Sequence, residues 1–215
     1  MQKGIHQIGS LHAGRKTLER MNDKNYPETI TSEELHQRAI EWFKGEIVIV
    51  DDFDTFQKQL PRLRKAEILG FDTETKPTFR KGRRNKVSLI QLADDNIACL
   101  IRINKIGIPR ELANILADPD IIKTGVAVHD DIKFLNRIKN FNPSGFVDLQ
   151  HMVKDYGIKV SGLNKLTAII LGFRISKRQQ ITNWEAEELT EAQKLYAATD
   201  AWVCQQIYKR LVNGT

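Results

Sequence analysis

Two carboxylates one residue apart, Asp72 and Glu74, end the apolar stretch Leu69-Gly70-Phe71. Residues 67–71 have the pattern of a strand entering a core. Strand side chains alternate faces, so Asp72 and Glu74 share one face. Like charges placed this way repel unless something neutralises them. A hard divalent cation such as Mg²⁺, which takes one or two carboxylates together with substrate phosphates, would do so. A polar strand end facing solvent is the plainer alternative. Further acids lie where such a site would draw on them. Asp130 and Asp131 follow a buried run at the carboxyl end of a predicted strand, where open α/β sheets bind ligands. Asp130 can equally cap the next helix, and Asp131 fits the strand-to-helix register better. Asp148 reads as a helix N-cap, and His129 and His151 as surface residues. Near the end of the chain, Tyr196 and Asp200 are four residues apart and share one helix face. The small residues between them allow that helix to pack closely on a sheet.

These residues need elements to hold them. Thr31 or Ser32 starts a helix with Glu33 and Glu34 in its first turn. Residues 46–50, rich in β-branched side chains, predict the first strand. A helix over 54–63 precedes the carboxylate strand. Residues 87–92 return as a strand and form a hairpin with it, and 96–103 read as another strand. After Pro109 the pattern alternates: helix 110–116 with Pro at its start, strand 121–128, helix 130–138, helix 148–156, and helix 163–171 closed by Gly172. A long helix over 190–211 follows, with Thr190 as cap and Gln193 at the capping-box position. Strands first and strand–helix alternation later predict an α/β fold, a mixed sheet flanked by helices. Residues 1–27 show no period and predict a flexible N-terminal extension, leaving 28–215 as one domain.

With 41% hydrophobic and 28% charged residues the chain is of ordinary globular composition. Its net charge of +6 permits a polyanionic partner. Residues 76–86 carry Lys76, Arg80, Lys81, Arg83, Arg84 and Lys86 with no acid. Directly after the carboxylate strand, Arg80, Lys81, Arg83 and Arg84 are candidates to contact a phosphate backbone, with a solvated loop as the alternative. Phe79 could stack on a base or belong to the core. No apolar run is long enough to span a membrane, and residues 1–27 lack the apolar central region of a secretory signal. Cys99 and Cys204 show no metal spacing and read as reduced core thiols, which suits a cytoplasmic location.

Taken together, the Asp72-x-Glu74 pair, Asp131 at the start of a later helix and Tyr196-x-x-x-Asp200 on the last helix resemble the DEDD superfamily of 3′→5′ exonucleases, in its tyrosine subclass. Residues 87–92, Asn183-Trp184 and 189–201 look like Werner-type exonuclease domains and their bacterial relatives, and more distantly like ribonuclease D. The resemblance covers about residues 45–212. It implies a ribonuclease H-like mixed sheet with helices on both sides. It also implies metal-dependent hydrolysis of phosphodiester bonds from the 3′ end of a nucleic acid, releasing nucleoside monophosphates with two divalent ions, Mg²⁺ or Mn²⁺. Asp72, Glu74, Asp131 and Asp200 would be the metal ligands and Tyr196 the residue orienting the attacking water. Where many members carry His or Asn four residues before the second Asp, this chain has Ala127, as Werner-type domains also lack that side chain. RNA 3′-end trimming of the ribonuclease D type and a non-catalytic nucleic-acid-binding module on the same fold stay open as alternatives.

Overall fold

The structure, a computed structural model, describes residues 26–77 and 86–214. In chain order the elements are α1 (Ser32–Gln37), β1 (Glu46–Val50), α2 (Phe53–Lys65), β2 (Ile68–Thr75), β3 (Val87–Ala93), β4 (Ile97–Ile101), α3 (Ile103–Ile106), α4 (Arg110–Ala117), β5 (Ile122–Gly125), α5 (Val128–Ile138), β6 (Phe146–Asp148), α6 (Leu149–Met152), a 3₁₀ turn (Val153–Tyr156), α7 (Leu163–Ile170) and α8 (Glu191–Asn213). The strands form one six-stranded sheet in the order β1-β4-β3-β2-β5-β6. β2, β3 and β4 are an antiparallel meander, while β1, β5 and β6 join in parallel. The expected mixed α/β sheet is therefore present.

Alternation along the strands sorts the core into two layers. Leu69 and Phe71 of β2, with Ile90 and Leu92 of β3, pack against Phe56, Leu60 and Leu63 of α2, Leu112 and Ile115 of α4, and Leu135 of α5. Gly70, Asp72 and Glu74 take the other face, beneath α8. Leu89, Ala93 and Leu100 meet Ala197, Ala198 and Ala201 of that helix. The approach is close enough to require glycine: a Cβ on Gly70 would stand 1.8 Å from the Ala201 carbonyl oxygen. The carboxylate strand and the helix carrying Tyr196 and Asp200 are thus pressed together by the absence of side-chain bulk between them.

The boundaries of α8 follow from its caps. Thr190 and Gln193 form a reciprocal capping box, and Gly214 ends the helix at φ 71°. Other expectations shift. The strand read over 121–128 stops at Gly125, because Ala127 adopts a left-handed conformation (φ 58°, ψ 33°) and α5 begins at Val128. Ala127, not Asp130, occupies the N-cap, so the capping role considered for Asp130 is overturned. That conformation is uncommon for a non-glycine residue, and Ala visits it less readily than Asn or His. The helix expected over 148–156 breaks up. Asp148 ends the short strand β6 and caps α6 by accepting from the Gln150 N–H at 2.9 Å, and a 3₁₀ turn follows. The N-cap reading of Asp148 holds. The strand expected over 96–103 ends at Ile101, before the buried Arg102.

Candidate active site

Asp72 and Glu74 reach the α8 side of the sheet from alternate positions of β2, and Asp200 reaches them from α8. One ligand oxygen from each lies within 4.8 Å of the others. Glu74 and Asp200 are buried, and Asp72 is partly buried with its Oδ1 accepting from the Thr73 N–H at 2.9 Å. Asp131 comes from the first turn of α5, on the opposite layer. Its Oδ1 accepts a 2.7 Å hydrogen bond from the Thr73 hydroxyl, 58 residues away in sequence. Its neighbour Asp130 is exposed. Geometry therefore separates the two adjacent acids: Asp131 is tied to the β2 carboxylate strand and Asp130 faces solvent. Tyr196 is one turn before Asp200 and buried, its ring 6.0 Å from that of Trp184. Its hydroxyl is a near neighbour of the Asp200 carboxylate and helps to stabilise its ionised form.

The electrostatics of this cluster are those of desolvated like charges. Burial, then the charges of Asp200 and Asp131, push the Asp72 carboxyl well above its usual range. Burial and then Asp72 raise Glu74 to about 10. Burial raises Asp200 to about 7, against the lowering effects of the neighbouring Tyr196 hydroxyl and the Lys177 charge. Burial raises Asp131 to about 6, with the Thr73 hydrogen bond opposing it. The Tyr196 hydroxyl is raised by its burial first and then by Asp200 and Glu74. Asp200 Oδ1 is buried with no hydrogen-bond partner among the described residues. Hard oxygen donors, mutually repelling, desolvated and with one left unpartnered, fit a divalent cation. Asp72, Glu74 and Asp200 could hold it directly.

The cluster opens into a cavity of about 310 Å³ whose far wall includes Gln150, Ser161, Asn164, Ser176, Lys177 and Gln180. Sequence reading gave none of these residues a role; Ser176, Lys177 and Gln180 lie in 172–189, which shows no helical or strand period. The link that places them is non-local: Arg174 forms a β-bridge to Ile40, and the Ile175 N–H donates to Asn164 Oδ1 at 2.9 Å. Gln91 was missed too, although its place follows from register, as the cross-strand partner of Asp72. It is fully buried, with neither side-chain polar atom partnered among the described residues. His129 and His151 are exposed, as expected. Arg80, Lys81, Arg83, Arg84 and Phe79 lie outside the described residues.

Comparison with known proteins gives the chain's family and fold relatives. The family model described as 3′-5′ exonuclease matches residues 47–215. The bifunctional 3′-5′ exonuclease/ATP-dependent helicase WRN of Mus musculus is 35% identical over 159 residues, covering 71% of this chain and 11% of that protein. The crystal structure of the Aedes aegypti Nibbler EXO domain superposes with a TM-score of 0.70 at 26% identity, covering 81% of this chain and 91% of that one. Escherichia coli RNase D, an exoribonuclease involved in structured RNA processing, gives a TM-score of 0.68 at 27% identity, covering 77% of this chain and 44% of that one. The chain spans well under two thirds of the length of its curated relatives, 11% of mouse WRN and 25% of the Drosophila melanogaster exonuclease 3′-5′ domain-containing protein 2. Among the described residues, no helix is long and apolar enough to cross a membrane.

Proposed function

Since the chain belongs to the 3′-5′ exonuclease family, we propose that it hydrolyses the 3′-terminal phosphodiester of a nucleic acid strand and releases nucleoside monophosphates. The observation carrying this reading is the desolvated trio Asp72, Glu74 and Asp200, with one oxygen of each within 4.8 Å of the others. Such a cluster is costly to fold without a counter-charge, and an anionic substrate could not approach it unneutralised. Two divalent ions, Mg²⁺ or Mn²⁺, are assigned to Asp72, Glu74, Asp200 and Asp131. Bound there, they would offset phosphate charge and lower the pKa of the attacking water.

The chain's own residues then have separate tasks. Tyr196 stays protonated because burial and the neighbouring acids raise its pKa, so it orients water and does not act as a base. Water adds to phosphorus, the bond from phosphorus to the 3′ oxygen breaks, and that oxygen leaves as the new 3′ hydroxyl after gaining a proton. Thr73 holds the Asp131 carboxylate at the edge of the cluster. Arg80, Lys81, Arg83 and Arg84 are assigned to backbone phosphates of the strand. Residues 1–25 of the extension expected over 1–27 lie outside the described residues, and none of these roles draws on them; buried free Cys99 and Cys204 suit a reducing, cytoplasmic location. A binding module without catalysis would have no reason to keep so costly a cluster.

Digestion of matched 5′-labelled DNA and RNA strands tests the proposal. Stepwise shortening from the 3′ end with Mg²⁺ or Mn²⁺, stopped by chelator, is the expected result. Undiminished cleavage in excess chelator would overturn the metal assignment, and purely internal cuts the exonuclease assignment. The relative rates on the two strands decide between a DNA substrate and RNA 3′-end trimming.

A further inference from the structure

A second cavity, of about 250 Å³, adjoins the carboxylate cavity, and Tyr196 and Ser176 line both. Ile40, Trp42, Arg178 and Leu195 form much of the remaining wall. Trp42 is 47% exposed and Ile40 42%, which leaves large apolar area in water at the margin of a catalytic centre. The position is built and not loose. The Glu41 N–H donates to the Arg174 carbonyl at 3.0 Å, the Arg174 N–H to the Ala39 carbonyl at 2.9 Å, and the Phe43 N–H to the Thr199 hydroxyl of α8 at 3.1 Å. Trp42 is therefore pinned on both sides, once to the segment leading to Ser176 and once to the helix carrying Tyr196 and Asp200. Glu41, which also lines the cavity, is ion-paired with Lys44 at 2.9 Å. The approach of a polyanion then meets a compensated acid and the exposed Arg178 cation.

We propose that this cavity is a base-binding subsite. A nucleobase upstream of the scissile linkage stacks on the Trp42 indole, and Arg178 meets a backbone phosphate beside it. The chemistry suits an exonuclease that must take every sequence: every base has a π-face, so stacking is sequence-tolerant. A fixed aromatic ring gives contact area at low entropic cost. The assignment rests on the nuclease reading of the neighbouring carboxylates, because continuity with that site identifies the occupant.

The test uses the full chain with Mg²⁺ and both oligothymidylates and oligouridylates of two, four and six nucleotides, for turnover and, with a 3′-terminal phosphorothioate, for binding. Of the three tryptophans, Trp184 is fully buried and Trp202 is half-buried against Phe43 and Phe173. Strand-induced quenching should therefore come from Trp42 and vanish in Trp42→Leu. Wild-type affinity should rise with strand length. In Trp42→Ala that gain should be lost, with KM for the hexamer up roughly tenfold, the scale of one base–aromatic stack, and the loss falling on KM more than kcat. Trp42→Tyr should recover most of it. Arg178→Gln should lower the salt slope by about one phosphate contact. Wild-type length dependence in folded Trp42→Ala would overturn the subsite while leaving the carboxylate reading intact. A wild-type chain that neither binds nor cleaves any strand would overturn both. Trp42 emission that changes on deletion of residues 1–25 but not with strand would assign the cavity to the chain's own N-terminal segment and overturn the proposal.

Discussion

Two regions of this molecule bury charge, and they do so in opposite ways. Lys123, in β5, and Arg102, just after β4, are almost wholly inaccessible. Lys123 Nζ donates to the carbonyls of Asp118 and Ile121, each at 2.6 Å, and lies 5.2 Å from the centre of the Phe146 ring. The Arg102 guanidinium donates to the carbonyls of Glu187, at 2.6 Å, and Ala186. Lys123 and the terminal nitrogens of Arg102 donate to backbone oxygens and stitch loops to the sheet, with only Arg102 Nε lacking a partner among the described residues. Arg102 fastens the segment that leads into α8. Across the molecule, Asp72, Glu74 and Asp200 are gathered where few donors reach them, and one oxygen of Asp200 has none among the described residues. A buried charge supplied with partners by its own chain belongs to the scaffold. A buried charge left to repel its neighbours points to a partner from outside.

The largest expected effect comes from neutralising one member of the unsatisfied group. Asp72→Asn should lower turnover by about 10³-fold or more, the scale found when a group stabilising developing charge is lost. It should also raise the melting temperature of the metal-free protein near pH 8, because it removes a buried anion that Asp200 and Asp131 repel. Paired activity and melting measurements check this. A variant that is both inactive and less stable would place Asp72 with the structural charges.

Tyr196→Phe is expected to act less strongly. It deletes the hydroxyl that neighbours Asp200 and leaves the ring against Trp184. Single-turnover rates should fall roughly 10²-fold, the range for groups that position a proton or water, with metal affinity nearly unchanged. A wild-type rate in the Phe variant would leave Tyr196 as a packing residue.

On the satisfied side, Lys123→Met should show the reverse signature. Two buried carbonyls lose their donor, which costs about 2 kcal/mol, or roughly 4–8 °C in melting temperature for a domain of this size. Turnover well below that temperature should stay within about twofold. A melting temperature equal to wild type would mean that the desolvation cost of the ammonium had offset its hydrogen bonds.

The difference between these regions was only half legible in sequence. Asp72 and Glu74 showed themselves through the two-residue period of an apolar strand, and α8 through its capping box and the small residues around Tyr196. Gly70 let those two elements be read as close neighbours only once the 1.8 Å clearance was seen. The Thr73–Asp131 bond could not be read, because it links a strand residue to a helix from the opposite layer. β6 escaped notice because three residues, Phe146–Asp148, are too few to show a period. Lys123 read as an ordinary strand residue, since only the loop folding back through Asp118 and Gly145 encloses it. Local pattern revealed which residues could do chemistry. Register and crossover decided which buried charges found partners.

The smallest effect, and the sharpest separation of the two regions, lies in the pH dependence of stability. Asp131, Asp200 and Glu74 have folded-state pKa values of about 6, 7 and 10, above their ordinary values, through burial. Between pH 4 and those values the folded chain binds more protons than the unfolded one, so stability falls as pH rises. Lys123 behaves oppositely. Burial lowers its pKa to about 8, so its contribution rises with pH between about 8 and its ordinary value, and below pH 8 it is protonated in both states. From pH 5 to 7.5, therefore, the slope reports the carboxylates and not Lys123. The melting temperature of the metal-free protein should decline over that window by several degrees. Millimolar Mg²⁺ or Mn²⁺ should flatten the decline by binding the ionised cluster. Asp200→Asn should make it shallower without metal by removing one of the contributing acids, and Lys123→Met should leave the slope unchanged while lowering the whole curve. A decline undiminished in Asp200→Asn and indifferent to metal would mean that the acids are not the groups sensing pH, and the contrast drawn between the two buried regions would fail.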